Sequence, residues 1–175
     1  MKIAKNKISL TILRPTMIYG DMCDHNMSKF IKMINNLPFF PLVNGGKSLI
    51  QPVNARDLGK AYYDVLMNPQ ITANKQYNLS GNKPISIKEA LTIISKKLNK
   101  NTIFIPVPIN ISVFIAYMLK GMTLGKLDIV EKILRMGEDR VYSHELAKKD
   151  FNYNPMSFEE GIDIEINEFK KMTRK

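Results

Sequence analysis

Ile8-Ser9-Leu10-Thr11-Ile12-Leu13, ended by Arg14-Pro15, is the segment that most constrains this chain. A short β-branched, apolar run closed by proline reads as a strand. Its near-continuous hydrophobicity suits a strand covered on both faces, as in a parallel sheet. A buried parallel strand needs neighbours, and little of the chain precedes this one. Strand-like runs at Lys75–Gly81 and Thr102–Val107 alternate with helical patterns, so the expected class is α/β. With 175 residues, 45% of them hydrophobic, the chain can bury a core as one domain or as a substantial piece of one.

Local signals set the remaining elements. Met27, Phe30, Ile31 and Ile34 share one helical face. Asn44-Gly45-Gly46-Lys47 is a strong turn signal between Leu37–Val43 and Ser48–Val53 and predicts a small β-excursion, after a long turn region from Thr16 to Asn26. Asp57 is placed to cap a helix through Leu58, Ala61, Tyr62, Val65 and Leu66. Ser86-Ile87-Lys88-Glu89 and Ser157-Phe158-Glu159-Glu160 both have capping-box spacing, and the second opens a helix carrying Ile162, Ile166 and Phe169. Helices are expected around Ile111–Leu119, Leu127–Met136 and Ser143–Lys149. No repeat, low-complexity block or composition break divides the chain.

The net charge of +10 comes mostly from scattered lysines, and no run of five or six like charges marks a nucleic-acid arm. No nucleic-acid partner is expected. One cysteine excludes an intramolecular disulfide framework and favours a reducing, cytoplasmic setting. The uncharged interval from Asn101 to Leu119 is interrupted by Pro106 and Pro108, so it reads as a buried helix or hydrophobic cap and not as a membrane span.

Chemistry-bearing motifs are few. No glycine-rich turn joins a first strand to a helix, and Gly46-Lys47-Ser48 lacks the upstream glycine of a phosphate loop. His25 and His144 sit in no metal-ligand spacing. Cys23, Asp24 and His25 are neighbours in sequence, which does not position a proton-transfer couple. No catalytic residue and no metal ligand is assigned from these patterns.

Four ordered segments resemble extended short-chain dehydrogenases/reductases, the NAD-dependent epimerase/dehydratase family. They are Thr11–Gly20 (Thr-Ile-Leu-Arg-Pro-Thr-Met-Ile-Tyr-Gly), Gln51–Leu58, Tyr77–Gly81 with the Ser86–Glu89 helix start, and Tyr153–Ile162. The resemblance implies an α/β fold corresponding to the C-terminal part of a Rossmann-like enzyme with its small substrate-side region. Residues 1–175 would then form a single incomplete domain, with late core strands and helices interleaved with substrate-side segments. Full-length relatives use NAD or NADP for hydride transfer on nucleotide sugars or related substrates.

The family's Tyr-x-x-x-Lys pair is absent here: Tyr19 leads to Cys23, Tyr77 to Gly81 and Tyr142 to Leu146. The expectation is therefore a chain inactive alone that binds no NAD(P) tightly, partnered by a complementing N-terminal chain or by self-association. A non-catalytic binding or scaffold protein derived from the same fold is the alternative. By the resemblance, Pro15, Thr16 and Met17 border the cofactor, while Tyr19, Asn26, Lys47 and Arg56 lie on the substrate side. Nucleotide-sugar enzymes often place a phosphate-contacting arginine near the position held here by Ile50, which departs from that pattern.

Overall fold

The computed structural model describes residues 8–123 and 129–173. Among the described residues eight short strands are interspersed with eight helices. The strands are β1 (Ile12–Pro15), β2 (Ile18–Tyr19), β3 (Phe39–Val43), β4 (Leu49–Ile50), β5 (Val53–Asn54), β6 (Gln76–Leu79), β7 (Ile85–Ser86) and β8 (Ile103–Val107). The helices are α1 (Met27–Asn36), α2 (Ala55–Met67), α3 (Pro69–Thr72), α4 (Ile87–Lys97), α5 (Ile109–Met122), α6 (Val130–Met136), α7 (Glu145–Phe151) and α8 (Phe158–Thr173). Three pairings are parallel, β1 with β6, β2 with β5 and β3 with β8; β4 and β7 run antiparallel. The α/β class follows directly.

The first strand is displaced from its expected place. Pairing runs from Ile12↔Gln76 to Pro15↔Leu79, while Ile8 and Leu10 lie outside it and are exposed. Among the described residues β1 pairs with β6 only, and none of Ile12–Pro15 is fully buried, so the expected cover on both faces is not formed. Apolar composition does not report how much of a strand its neighbours cover. The Thr16–Asn26 turn also contains β2, which pairs with β5 through Ile18↔Val53. The Asn44–Gly46 turn does not close a hairpin, because β3 pairs with β8 and β4 with β7. Turn chemistry reports the reversal of the chain and not the strand it meets.

Apolar side chains gather in two clusters. The larger joins α1, α4 and α8 to β3 through Met27, Ile31, Ile34, Phe40, Leu91, Ile94, Ile162 and Ile166. These positions recur at helical spacing, which puts them on one face. The smaller packs α2, β6 and α7 through Leu58, Ala61, Tyr77, Leu79, Ala147 and Phe151, with Leu13 of β1 against it. Tyr77 and Phe151 meet edge to face at 5.1 Å, a favoured aromatic arrangement.

Both serines cap their helices, and at Ser157 the full capping box forms. Ser86 Oγ accepts from the Glu89 N–H at 3.1 Å. Ser157 and Glu160 are reciprocal: the Glu160 N–H donates to Ser157 Oγ at 3.2 Å, and the Ser157 N–H donates to Glu160 Oε2 at 2.8 Å. The capping role read for Asp57 belongs to Asn54, whose side chain accepts from the Arg56 N–H at 2.9 Å. Asp57, one turn further on, accepts instead from the Met156 N–H at 3.0 Å and ties α2 to the approach to α8.

The expected buried helix around Ile111–Leu119 is helical but not buried. α5 covers its small residues Ser112 and Ala116 and leaves Ile111, Phe114, Ile115, Tyr117 and Met118 exposed. Hydrophobicity without a strong one-sided pattern did not specify which face would turn inward. Of the expected Leu127–Met136 helix, Leu127 and Asp128 lie outside the described residues. No helix among the described residues is long and apolar enough to cross a membrane.

Candidate functional site

The carboxyl ends of β1 and β6 lie side by side, because parallel pairing points both strands the same way. Open α/β sheets bind ligands just beyond such ends. Pro15 stands opposite Leu79, and the Thr16 N–H donates to the Leu79 carbonyl at 3.2 Å. The Thr16 hydroxyl donates to the Gln51 carbonyl at 2.5 Å, and the Met17 carbonyl accepts from the Val53 N–H at 2.9 Å. Two segments distant in sequence, Gln51–Val53 and Leu79, thus converge on Pro15–Met17.

Gly81 explains the small residue ending Tyr-Asn-Leu-Ser-Gly. A Cβ there would lie 1.9 Å from the Pro52 carbonyl oxygen, so only glycine permits this approach.

Tyr19 enters the larger core and is 1% exposed. Its ring lies 5.5 Å from Phe158, and a Cβ at Gly161 would come within 2.0 Å of its hydroxyl oxygen. Burial raises the Tyr19 pKa, the Asn54 side chain opposing that shift. Arg56 is half-exposed and paired, its Nη2 lying 3.0 Å from Asp21 and 2.7 Å from Glu168. Asn26 is exposed beside Asp24, whose carboxylate accepts from the Asn26 N–H at 2.7 Å and from the Ser28 N–H. Lys47 is exposed just after the Asn44–Gly46 turn. Cys23 and His25 are both exposed. Among the described residues no three His, Cys, Asp or Glu side chains gather as a metal site.

Three features carry no local sequence signal. The first is Arg140, joined to Ile50 by an isolated parallel bridge, with Nε buried and without a hydrogen-bond partner. The second is Glu165 on α8, 0% exposed, neither carboxyl oxygen having a partner in hydrogen-bond geometry. Burial, with the Asp24 carboxyl next in effect, pushes its pKa up to about 9. The third is a cleft of about 460 Å³ bordered by Gln51, Lys83, Tyr142, His144, Lys148 and Tyr153. Gln51 holds it from below, its Nε2 donating to the Gly81 carbonyl at 2.8 Å and its Oε1 accepting from the Tyr142 N–H at 3.1 Å.

A site for a dinucleotide would need a phosphate cradle and free polar groups along the strand ends. Here the Thr16 hydroxyl and Met17 carbonyl are already committed to Gln51 and Val53. The paired glycines Gly45-Gly46 sit in the turn after β3, a Cβ on Gly46 meeting Lys88 at 3.0 Å. The described residues therefore fit one wall of such a site and not its phosphate cradle.

No family model matches this chain, and no curated protein matches it in sequence. Solved structures do match in shape. An epimerase from Methanothermobacter thermautotrophicus superposes with a TM-score of 0.72 at 13% identity, over 95% of this chain and 45% of that one. UDP-glucose 4-epimerase from Thermotoga maritima, solved with UDP-glucose, gives 0.68 at 16% identity, over 95% and 47%. UDP-glucuronic acid 4-epimerase from Bacillus cereus, solved with UDP-glucuronic acid and NAD, gives 0.67 at 17% identity, over 97% and 48%. The chain spans about half the length of these structures, and what it shares with them is the α/β fold of Rossmann-like epimerases and dehydratases.

Proposed function

We propose that this chain is the C-terminal, substrate-side half of an NAD(P)-dependent epimerase/dehydratase-like assembly acting on a nucleotide sugar or related substrate. The observation that carries this reading is the convergence of Pro15, Thr16 and Met17 with Leu79, Gln51 and Val53 at parallel strand ends. In this assembly the nicotinamide cofactor carries the hydride. Pro15–Met17 form a wall at the cofactor's reactive end and hold the strand-end backbone rigid through Thr16. Tyr19 anchors the following turn against α8. Arg56, held by Asp21 and Glu168, fixes the loop on the substrate side, and Asn26 and Lys47 are exposed groups for the substrate.

Arg140 takes the anion contact that the family resemblance places at the Ile50 position. It lies beside Ile50 in the structure, and its Nε is desolvated without a partner. Leaving such a donor unpaired is costly, and a phosphate oxygen would satisfy it.

The chain alone supplies neither a glycine-rich phosphate turn nor a Tyr-x-x-x-Lys pair, so it does not turn over substrate unaided. The partner is a complementing chain that adds a parallel strand to β1, whose one ladder neighbour among the described residues is β6. Calorimetric titration of the chain with NAD(H) and NADP(H) tests this. Binding weaker than micromolar is expected, and micromolar affinity for the isolated chain would overturn it. UDP-sugar binding that survives Arg140→Gln unchanged would overturn the assignment of Arg140.

A further inference from the structure

We propose that the His144 cleft is a binding site for an oxyanion that carries its own hydroxyl donor, such as hydrogen phosphate or a phosphate ester with a neighbouring hydroxyl. This does not rest on the cofactor reading above: Ser80 follows Leu79 of the strand-end wall, but the argument uses only its hydroxyl and the cleft beside it.

The argument begins at Ser80, which is 0% exposed. Its Oγ lies 2.7 Å from the Tyr142 carbonyl oxygen and 2.7 Å from His144 Nδ1. A serine hydroxyl has one proton to donate, and a carbonyl can only accept. Ser80 must therefore donate to Tyr142, which makes His144 Nδ1 the donor to Ser80. Tyr153 reinforces the position, its hydroxyl donating to the Ser80 carbonyl at 3.0 Å and its ring lying edge-on to the imidazole at 5.4 Å. The imidazole is fixed in one tautomer and one orientation.

Burial holds the His144 pKa below its ordinary value, so the ring is neutral near neutrality. With Nδ1 carrying the proton, Nε2 keeps its lone pair and is an acceptor. Among the described residues no donor reaches Nε2, and it is not one of the buried unpartnered atoms, so it opens to solvent. The charged groups on the cleft wall are Lys83, Lys148 and Glu145, a net positive surround. A ligand fitting both features brings negative oxygens for the lysines and a hydroxyl for Nε2. Sulfate has the oxygens and no proton to give. Hydrogen phosphate has both.

The protein has two histidines, so proton NMR of the whole chain resolves two imidazoles, assigned through His25→Gln. Inorganic phosphate and glycerol 3-phosphate should shift the His144 resonance saturably near neutral pH, with sulfate at least about tenfold weaker, the worth of one hydrogen bond to a charged group. Stronger binding of glycerol 3-phosphate than phosphate would mark an ester as the preferred source, and the reverse the free ion. Below the His144 pKa the imidazolium becomes a donor, and the preference over sulfate should vanish. Lys83→Gln with Lys148→Gln, both on exposed residues, should weaken all three anions together. Ser80→Ala should erase the phosphate-over-sulfate preference by freeing the tautomer. Equal binding of sulfate and phosphate near neutrality, a shift confined to His25, or no saturable shift would each overturn the proposal.

Discussion

Replacing Glu165 with glutamine should stabilise this protein at neutral pH and leave it nearly unchanged in acid. Glu165 is completely buried, with its pKa raised from 4.5 to about 9 by burial first and by the nearby Asp24 carboxyl second. In the window between those values the folded protein keeps the proton while the unfolded chain has released it. Folding then takes up a proton, so stability is fully present below the unfolded pKa and is lost as pH rises through the folded one. Each pH unit in that window costs about 1.4 kcal/mol, so near pH 7 the wild type has given up roughly 3 kcal/mol.

Glutamine is neutral in both states and escapes that loss, and its amide can donate to Asp24. Urea unfolding followed by circular dichroism, run near pH 4.5 and near pH 8, measures the effect. With a urea dependence of about 1–3 kcal/mol per molar, the variant's midpoint should exceed the wild type's by roughly 1 M or more at the higher pH. The difference between the two proteins should shrink towards zero at the lower pH. A constant offset, or a larger deficit for the variant in base, would show that Glu165 is not a buried neutral acid.

Gly161→Ala should cost about 1–3 kcal/mol by overpacking, because the added carbon would lie 2.0 Å from the Tyr19 hydroxyl; thermal denaturation checks this, and Tyr19→Phe in the same chain should restore part of the loss. Ser157→Ala removes the reciprocal cap of α8 and should cost about 1 kcal/mol in chemical denaturation. Arg56→Gln breaks two half-exposed pairs and should cost less than about 1 kcal/mol, an effect that shrinks further in high salt. Phe114→Lys on the outward face of α5 should alter the unfolding midpoint by no more than about 0.5 kcal/mol equivalent, since Phe114 is already 64% exposed.

Local patterns were legible wherever the interaction itself is local. The α1 face of Met27, Phe30, Ile31 and Ile34, with Phe30 only partly buried, the Ser86 and Ser157 caps, and a strand within Lys75–Gly81, at Gln76–Leu79, all form. The caps have their partners within a few residues, and the α1 face and β6 carry their periodicity in consecutive residues although what they pack against is distant in the chain. The errors fall where a local signal had two physical outlets. Asn54 and Asp57 both carry a side-chain oxygen suited to a cap. Asn54 takes that role because the helix begins at Ala55, which leaves Asp57 inside the first turn, where it accepts from the Met156 N–H. Ile8–Leu13 has strand composition throughout, yet pairing begins at Ile12, where the Lys75 carbonyl first meets it.

The site shows the same division. Pro15–Met17 and Gly81 could be named from short motifs because backbone geometry demands those residue types there. Ser80 and His144 are separated by 64 positions, Gln51 and Tyr142 by 91. Nothing in the order of residues marks those pairs.

By itself the sequence determined the α/β class, the helix starts at Ser86 and Ser157 and the lack of a glycine-rich phosphate motif, because each is written in residues that are near neighbours in the chain. Only the tertiary structure decided which strands pair, which face of α5 turns outward, that Glu165 is sealed from water and that His144 is locked in one tautomer. Those outcomes depend on solvent exclusion and on long-range hydrogen bonds, which exist only once distant segments have met.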